Sequence, residues 1–375
     1  MPRTLKLSLT IFVLLSLCAP AAFARQGAAD PQLEQGVALY RKGDTEGAAR
    51  EFRAAAKRLR TDPLAWVYLG QALTQGGDLR EARKALDAAL KLNRDFAPAH
   101  SSLAYLYLVS GNEHDAEAEA AKALALDANL PSAHYVLGNL HLRRGEWLKA
   151  LEEADAAIQL DAEAADAYSL KTQALLALYD RASAILGAAR SGARDENDSM
   201  VAEARAAQPQ RLRQAAESLA EYLRLKPGAA DADELREELE TMRFYAEMNA
   251  STSSDPARKV YGVRDGITRA VILAKPEPGF TEAARQAGVS GVVRLRVVLN
   301  ADGTVKHILP IRWLGYGLTE QAVAAAQQIK FRPATIDGQP VSQYVILEYN
   351  FAVDVREIRQ GSMPRVVPTP DPHRP

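Results

Sequence analysis

The chain has 375 residues, 47% of them apolar and 25% charged, a globular composition with room for two or three domains that excludes a disordered or fibrous protein. Its formal net charge of −1 hides an asymmetry, with acidic residues in excess over 29–250 and basic ones over 259–353. Cys18 is the only cysteine, which excludes a disulfide framework. Arg294, Arg296, Lys306 and Arg312 lack the interleaved aromatics of a base-stacking surface, so they read as a solvated face and no nucleic-acid partner is expected.

Residues 1–24 carry Arg3 and Lys6, an apolar run over 7–17, and the small-x-small pattern Ala22-Phe23-Ala24. This is the grammar of a secretory signal, and Ser16, Pro20 and the Ala22/Ala24 pair favour cleavage after Ala24. The other reading is an uncleaved anchor, since residues 7–24 approach the shortest span that crosses a bilayer. Leu17, where a small residue is wanted before a lipidated cysteine, argues against a lipoprotein. Cleavage leaves a chain without a thiol, excluding thiolate catalysis and cysteine metal sites. The expected location is the periplasm of a Gram-negative-type bacterium, with an inner-membrane anchor if the signal is retained.

The next 220 or so residues repeat with a period of about 34. Trp66, Leu69, Gly70, Leu73, Gly77, Ala82, Leu86 and Ala89 recur one period on as His100, Leu103, Ala104, Tyr107, Gly111, Ala116, Ala120 and Ala123. A further period gives His134, Leu137, Gly138, His141, Gly145, Ala150, Ala154 and Ala157; one period back gives Gln32, Gln35, Gly36, Leu39, Gly43, Ala48, Phe52 and Ala55. The pattern resembles a tetratricopeptide (TPR) array of helical pairs over 29–250. Small residues such as Gly70 and Ala82 let helices approach, Gly77, Gly111 and Gly145 end the first helix of each pair, and neighbours must stack to bury their apolar faces.

The fifth repeat is split. Tyr168 and Leu175 match its first helix and Ala215, Leu219 and Pro227 its second, after an insertion near 181–208 that includes the polar run 191–199. A helix over 233–249 is expected to cap the array, followed by a linker at 251–258. If first helices line the groove as in related arrays, Val67, Gln71, Thr74, Ser101, Tyr105, Leu108, Tyr135, Asn139, Leu142, Arg143, Ser169 and Gln173 are the candidate lining; Tyr105 and Tyr135 read equally well as core. The lining lacks a Lys/Arg cluster to clamp a carboxylate, so a second protein or peptide held by apolar contacts and amide hydrogen bonds is the expected partner.

Residues that could carry chemistry point elsewhere. His100 and His134 take the packing place of Trp66 in successive repeats, and no metal-binding histidine pair at helix spacing occurs. Glu152, Glu153, Glu234, Glu237, Glu238 and Glu240 follow a solvated helix face. Phosphate-binding loops and nucleophile elbows are absent, so neither enzymatic activity nor a cofactor or metal is expected.

The C-terminal segment changes period. Val293, Leu295, Val297 and Leu299 alternate with Arg294 and Arg296, a half-buried strand; Ala301-Asp302-Gly303 predicts a hairpin into Val305, Ile308 and Ile311. Leu318, Ala322, Ala325 and Ile329 then recur at helical spacing, Pro333 and Asp337-Gly338 mark a turn, and 341–353 reads as a long final strand. By itself that strand is an edge, a homodimer seam or a docking site. Residues 354–375 are Pro-rich and expected to be disordered.

These features sit among others: Pro276 and Pro278 before Ala283-Ala284-Arg285, Gly288 and Gly291, Gly317-Leu318, Phe331-Arg332-Pro333-Ala334, Gly338-Gln339-Pro340-Val341 and Tyr349-Asn350-Phe351. Together, residues 259–353 resemble a TonB C-terminal domain. The resemblance implies a β-β-α-β domain with a three-stranded antiparallel sheet, making the chain mostly α with a small α+β domain. It also implies that Val341, Ser342, Gln343, Tyr344, Val345, Ile346, Leu347, Glu348 and Tyr349 form a strand that captures a segment of a TonB-dependent outer-membrane receptor. Where relatives carry Tyr-Pro, this chain has Phe280-Thr281, with Phe280 in the aromatic place and Thr281 free to cap a helix over 282–286. The family's role is energy transduction in transport, coupled to an inner-membrane proton motor if the N-terminus stays anchored. The family's anchor histidine has no counterpart, since no histidine precedes His100. The alternative is a soluble periplasmic TPR scaffold for envelope assembly, without transduction.

Overall fold

The structure, a computed structural model, describes residues 30–229, 231–248, 260–262, 266–286, 289–312 and 314–352. The expected signal (1–24), linker (251–258) and tail (354–375) lie outside the described residues. The chain divides into two compact units that part after Ser253.

The first unit stacks five helical pairs: α1 (Pro31–Arg41) with α2 (Thr45–Arg58), α3 (Pro63–Gln75) with α4 (Leu79–Leu92), α5 (Ala97–Val109) with α6 (Glu113–Leu126), α7 (Pro131–Arg143) with α8 (Trp147–Leu160), and α9 (Ala165–Arg190) with α10 (Ser199–Leu225). Helix α11 (Ala232–Met248) follows and packs on α10, with Leu239, Met242 and Tyr245 all buried. The punctuation is written in the repeat. A proline stands in the first turn of α1, α3, α5 and α7, where its missing N–H costs nothing. Asp44, Asp78 and Asn112 cap the second helices by accepting from Gly47, Glu81 and Asp115 backbone N–H groups. Gly43, Gly77, Gly111 and Gly145 adopt φ of +83°, +83°, +80° and +74°, the left-handed turn between paired helices that other residues enter only with strain.

Gly36, Gly70 and Gly138 serve a different purpose, close approach. A Cβ on Gly70 would stand 2.6 Å from Leu86 Cδ2, and Leu86 is fully buried. Gly70→Ala is therefore expected to destabilise the chain by about 1–3 kcal/mol despite alanine's better helix propensity, read as a lowered urea midpoint. An unchanged midpoint would mean Leu86 repacks without cost.

The fifth pair departs from expectation. Its helices span 26 and 27 residues against 13 and 14 in α3 and α4, because the inserted residues lengthen both helices and only the polar run near 191–198 forms the turn. The reason is an apolar stripe within the insertion: Ala182, Leu186 and Ala189 bury against Val201 and Ala204. Gln208 Nε2 donates to Ser183 Oγ at 2.6 Å and ties the arms together.

The second unit contains β1 (Val260–Tyr261), β2 (Val271–Ala274), α12 (Glu282–Gln286), β3 (Gly291–Leu299), β4 (Val305–Arg312), α13 (Leu318–Gln327), β5 (Lys330–Arg332), β6 (Ala334–Ile336) and β7 (Gln339–Phe351). The expected β-β-α-β framework is β3, β4, α13 and β7, with β3 central and antiparallel to both neighbours. The sheet is larger than the expected three strands. β1 joins β7 in parallel, β6 pairs with the start of β7, and β2 with β5 forms a separate two-stranded ribbon. Strands of two to four residues have no period to read and exist only through their partners' backbones.

Val293, Leu295, Val297 and Leu299 meet Leu318, Ala322 and Ala326 of α13 and Leu347, Tyr349 and Phe351 of β7 in one core. Phe280 stands edge-on to Phe351, centroids 5.9 Å apart, so the altered motif keeps its aromatic contact. Thr281 Oγ1 accepts from the Ala284 N–H at 3.2 Å, capping α12. Asp337 and Gly338 both have positive φ, +49° and +80°, the two-residue turn that matches strand twist between β6 and β7.

Candidate functional site

Two surfaces hold the residues singled out above, one in each unit. In the second unit, β7 alternates except at Val345, which is half-buried like Tyr344 beside it. Val341, Gln343, Leu347, Tyr349 and Phe351 are buried, while Ile346, Glu348 and Asn350 are exposed and Ser342 and Tyr344 half-buried. Most of the predicted strand's odd-numbered side chains therefore belong to the core, and Val345 packs against it. What β7 has to offer a partner is backbone. β3 pairs with residues 343–351 along one edge. Along the other, β1 covers Ser342 and Gln343, and among the described residues β3 is the only strand that pairs with β7 from Tyr344 onward.

The direction of the free groups follows from one hydrogen bond. Lys275 Nζ donates to the Glu348 carbonyl, which must then point away from β3. Antiparallel alternation puts the backbone groups of Tyr344, Ile346 and Asn350 on that same open side. The Lys275 ammonium also sits 4.4 Å from the Tyr349 ring centroid. Burial, with Glu277 nearby, pushes the Tyr349 phenol up to about 12, and its hydroxyl has no hydrogen-bond partner among the described residues. Lys306 and Arg312 are exposed as expected of a solvated face, but Arg294 and Arg296 are not idle on it. Arg296 lies over the Tyr344 ring at 4.6 Å, and Arg294 Nε is 3.1 Å from Glu348 Oε1.

In the first unit the predicted lining splits in two. Val67, Thr74, Ser101, Tyr105 and Leu108 are buried, at 1%, 4%, 2%, 4% and 2% exposure, and are not an open lining. Ser101 Oγ meets Ser132 Oγ at 2.6 Å between α5 and α7, the half-buried Gln71 donates from Nε2 to Ser102 Oγ at 3.0 Å between α3 and α5, and Thr74 Oγ1 donates to the Gly70 carbonyl within α3. Register assigns a helix face but cannot tell lining from inter-repeat seam. Tyr135, Asn139, Leu142, Ser169 and Gln173 are half-buried and Arg143 is exposed, all on α7 and α9. Asn139 and Gln173 bond within their own helices, and Arg143 Nη1 lies 3.5 Å from Glu113.

One residue absent from that lining carries a strongly perturbed carboxyl. Asp166, in the first turn of α9, acts electrostatically on Tyr40 of α1, Tyr105 of α5, Tyr135 of α7, Tyr222 of α10 and Lys226. Burial pushes its carboxyl up to about 7, against the opposing pull of Lys226. Burial likewise raises the phenols, Tyr222 to about 12, and lowers the Lys226 ammonium. Tyr40 donates to Gln75 Oε1 at 3.1 Å. In sequence Asp166 is an ordinary first-turn acid, and nothing there reveals that burial will push its carboxyl up.

The histidines do occupy the Trp66 place, with a polar purpose. His100 Nδ1 is 2.6 Å from Glu119 Oε2 and Nε2 is 3.0 Å from the Arg94 carbonyl; one repeat on, His134 Nδ1 is 2.7 Å from Glu153 Oε2 with the Ala128 carbonyl behind. Each ring bridges its two helices and the preceding loop. Two carboxylates thus leave the solvated face predicted for them: Glu153 is held by His134, and Glu238 is half-buried with its carboxyl pushed up to about 7 by burial. The Glu153 bond raises the His134 pKa above its ordinary value against the effect of burial. A raised histidine adds stability below its unfolded value near 6.5, lost as pH climbs through the folded value. Glu153→Gln is accordingly expected to cost roughly 1 kcal/mol at pH 5.5 and less at pH 9, measured by urea unfolding. Equal losses at both would show the pair to be neutral. Among the described residues no group of three or more His, Cys, Asp or Glu could hold a metal ion.

Helical pairs followed by a small α+β domain, whose last strand pairs among the described residues only with β3 from Tyr344 onward, define a molecule built of two protein-interaction modules. Residues 276–353 match the family described as Gram-negative bacterial TonB protein C-terminal, and residues 33–95 and 75–134 match the tetratricopeptide repeat family. The chain carries tetratricopeptide repeats followed by a TonB C-terminal domain. Solved structures similar to it include TTC0263, a thermophilic TPR protein of Thermus thermophilus, at 18% identity and TM-score 0.41, covering 56% of this chain and 97% of that one. The pilF protein of Pseudomonas aeruginosa is 21% identical at TM-score 0.34, covering 52% and 78%. A search of curated protein sequences finds no match. Among the described residues no helix is long and apolar enough to cross a membrane.

Proposed function

We propose that this chain is an envelope adaptor in TonB-dependent transport. Its C-terminal domain captures an extended segment of an outer-membrane receptor by strand addition, and its array binds a second protein on the face around Asp166. One observation carries the reading: from Tyr344 onward β7 pairs, among the described residues, only with β3, so its opposite edge has no strand neighbour there, and Lys275 alone is seen to hold a carbonyl on it, that of Glu348. An extended segment satisfies the backbone groups of such an edge at roughly 1 kcal/mol per bond while its alternate side chains set specificity. The proposed role is docking without catalysis or cofactor.

The test is isothermal titration of the full chain with synthetic peptides, each the N-terminal periplasmic segment of a TonB-dependent receptor. Saturable binding by at least one peptide is expected, and no binding across the panel would overturn the reading. Placement in the periplasm rests on the signal-like residues 1–24. N-terminal sequencing from soluble and membrane fractions decides between a free adaptor, beginning at Arg25, and an anchored one able to meet an inner-membrane proton motor. A soluble pool beginning at Arg25 favours the scaffold alternative over autonomous transduction.

A further inference from the structure

β1 has no part in the β-β-α-β framework, yet it lies on the edge that matters. Val260 and Tyr261 pair in parallel with Ser342 and Gln343, while the other described strand pairs of this sheet are antiparallel. Parallel neighbours cannot be joined by a tight turn, so β1 reaches β7 as a strand from a remote part of the chain, much as a strand from another molecule would. Its side chains are received specifically. Tyr261 is 8% exposed and packs with Ala334 and Val341. Gly262 lies against Tyr344: a Cβ there would be 2.7 Å from the Tyr344 hydroxyl. The edge therefore accepts an aromatic residue followed by a small one.

The closed arrangement is also imperfect. A two-residue strand is a weak hold. Gln343, the register partner of Tyr261, is 1% exposed; its Oε1 accepts from the Ala270 N–H at 2.9 Å while its Nε2 has no partner among the described residues. A buried donor left unsatisfied disfavours the state that buries it. Beyond Gly262 the same edge continues, among the described residues, without a strand neighbour, and Lys275 holds its Glu348 carbonyl.

We propose that β1 is a self-ligand: it covers the first positions of the docking edge, and the captured segment runs parallel to β7, displaces Val260 and Tyr261, and places its own aromatic and small residues where Tyr261 and Gly262 sit. This rests on the reading of β7 as the receptor-docking edge. The domain is thereby kept from pairing with stray strands until a segment of matching pattern competes β1 away.

The test uses the full chain with Cys18→Ser, Val260→Cys and Ser342→Cys, the last two being Cα partners in the β1–β7 register. Oxidation locks β1 in place and reduction frees it. The reduced form, matched to the oxidised one by circular dichroism, is the folding control. The probes are the receptor peptides used above. Expected are binding at least tenfold weaker in the oxidised form, and several-fold tighter binding by a separate Tyr261→Ser chain than by the unaltered one. Equal affinity of oxidised and reduced forms overturns the self-ligand while leaving docking intact, since the segment then lies beyond β1. Failure of the cysteine pair to oxidise overturns it as well, because β1 is then not on β7. No binding by any form overturns the docking reading and the self-ligand with it.

Discussion

Asp166→Asn is expected to raise the thermal midpoint of the full chain by about 5 °C at pH 8, with the gain shrinking towards zero as the pH is lowered to about 4. The cause is desolvation: burial pushes the Asp166 carboxyl up to about 7, and Lys226, pulling the other way, does not restore it. A carboxyl whose folded pKa is raised binds its proton more tightly folded than unfolded. Its favourable contribution is complete below the unfolded value near 4 and is lost as pH rises through 7. A rise of that size corresponds to about 4 kcal/mol at most, and partial exposure of Asp166 reduces this to a couple of kcal/mol. Asparagine keeps the shape and the hydrogen-bonding capacity without the charge. The half-buried Glu238 carboxyl, also near 7, adds in the same direction, so the unaltered chain should itself lose stability between pH 5 and 8. Scanning calorimetry across that range is the measurement. Midpoints that coincide for the two chains at every pH would mean that water or Lys226 already solvates the carboxylate.

Two neighbouring proline substitutions in β7 should part company. Ile346→Pro is expected to leave the C-terminal domain folded while weakening capture of a receptor peptide by about tenfold or more; Leu347→Pro is expected to unfold it. The two positions differ in which way the backbone faces. Glu348 offers its carbonyl to Lys275 on the open side, so Ile346, two residues away, presents its N–H there too, and its side chain is 45% exposed. Leu347 turns its backbone towards β3 and its side chain, 4% exposed, into the core. Losing an edge donor costs a partner one ladder bond and puts a ring where the added strand must approach. Losing Leu347 removes a β3–β7 bond and several kcal/mol of packing. Circular dichroism and peptide titration separate the outcomes. An Ile346→Pro chain that binds as tightly as the unaltered one would place docking on another edge.

Local grammar foretold much of this. The period of 34, the left-handed glycines at 43, 77, 111 and 145, the alternation of Val293 to Leu299 and the Asp337-Gly338 turn each express forces acting within a few residues. The Thr281 cap and the Phe280 contact were legible for the same reason, being positions in a short motif. The inserted arms of α9 and α10 were half legible: their apolar stripe is in the sequence, but beside a polar run it read as loop.

The candidate sites were legible only as faces. Register put Ser101, Tyr105 and Leu108 on the inner side of α5, and packing against neighbouring helices buried them. The predicted strand over 341–349 falls within β7, yet which of its edges is covered depends on β1, eighty residues earlier in the chain.

Periodicity, turn chemistry and capping are properties of consecutive residues, so the amino-acid sequence alone determined the helical array, the β-β-α-β framework and the final strand. The tertiary structure alone decided that the Asp166 carboxyl is buried near Lys226, that Glu153 pairs with His134, and that Val260 and Tyr261 lie on the β7 edge. Each of these depends on which distant segments share a neighbourhood, and desolvation and strand pairing act across space rather than along the chain.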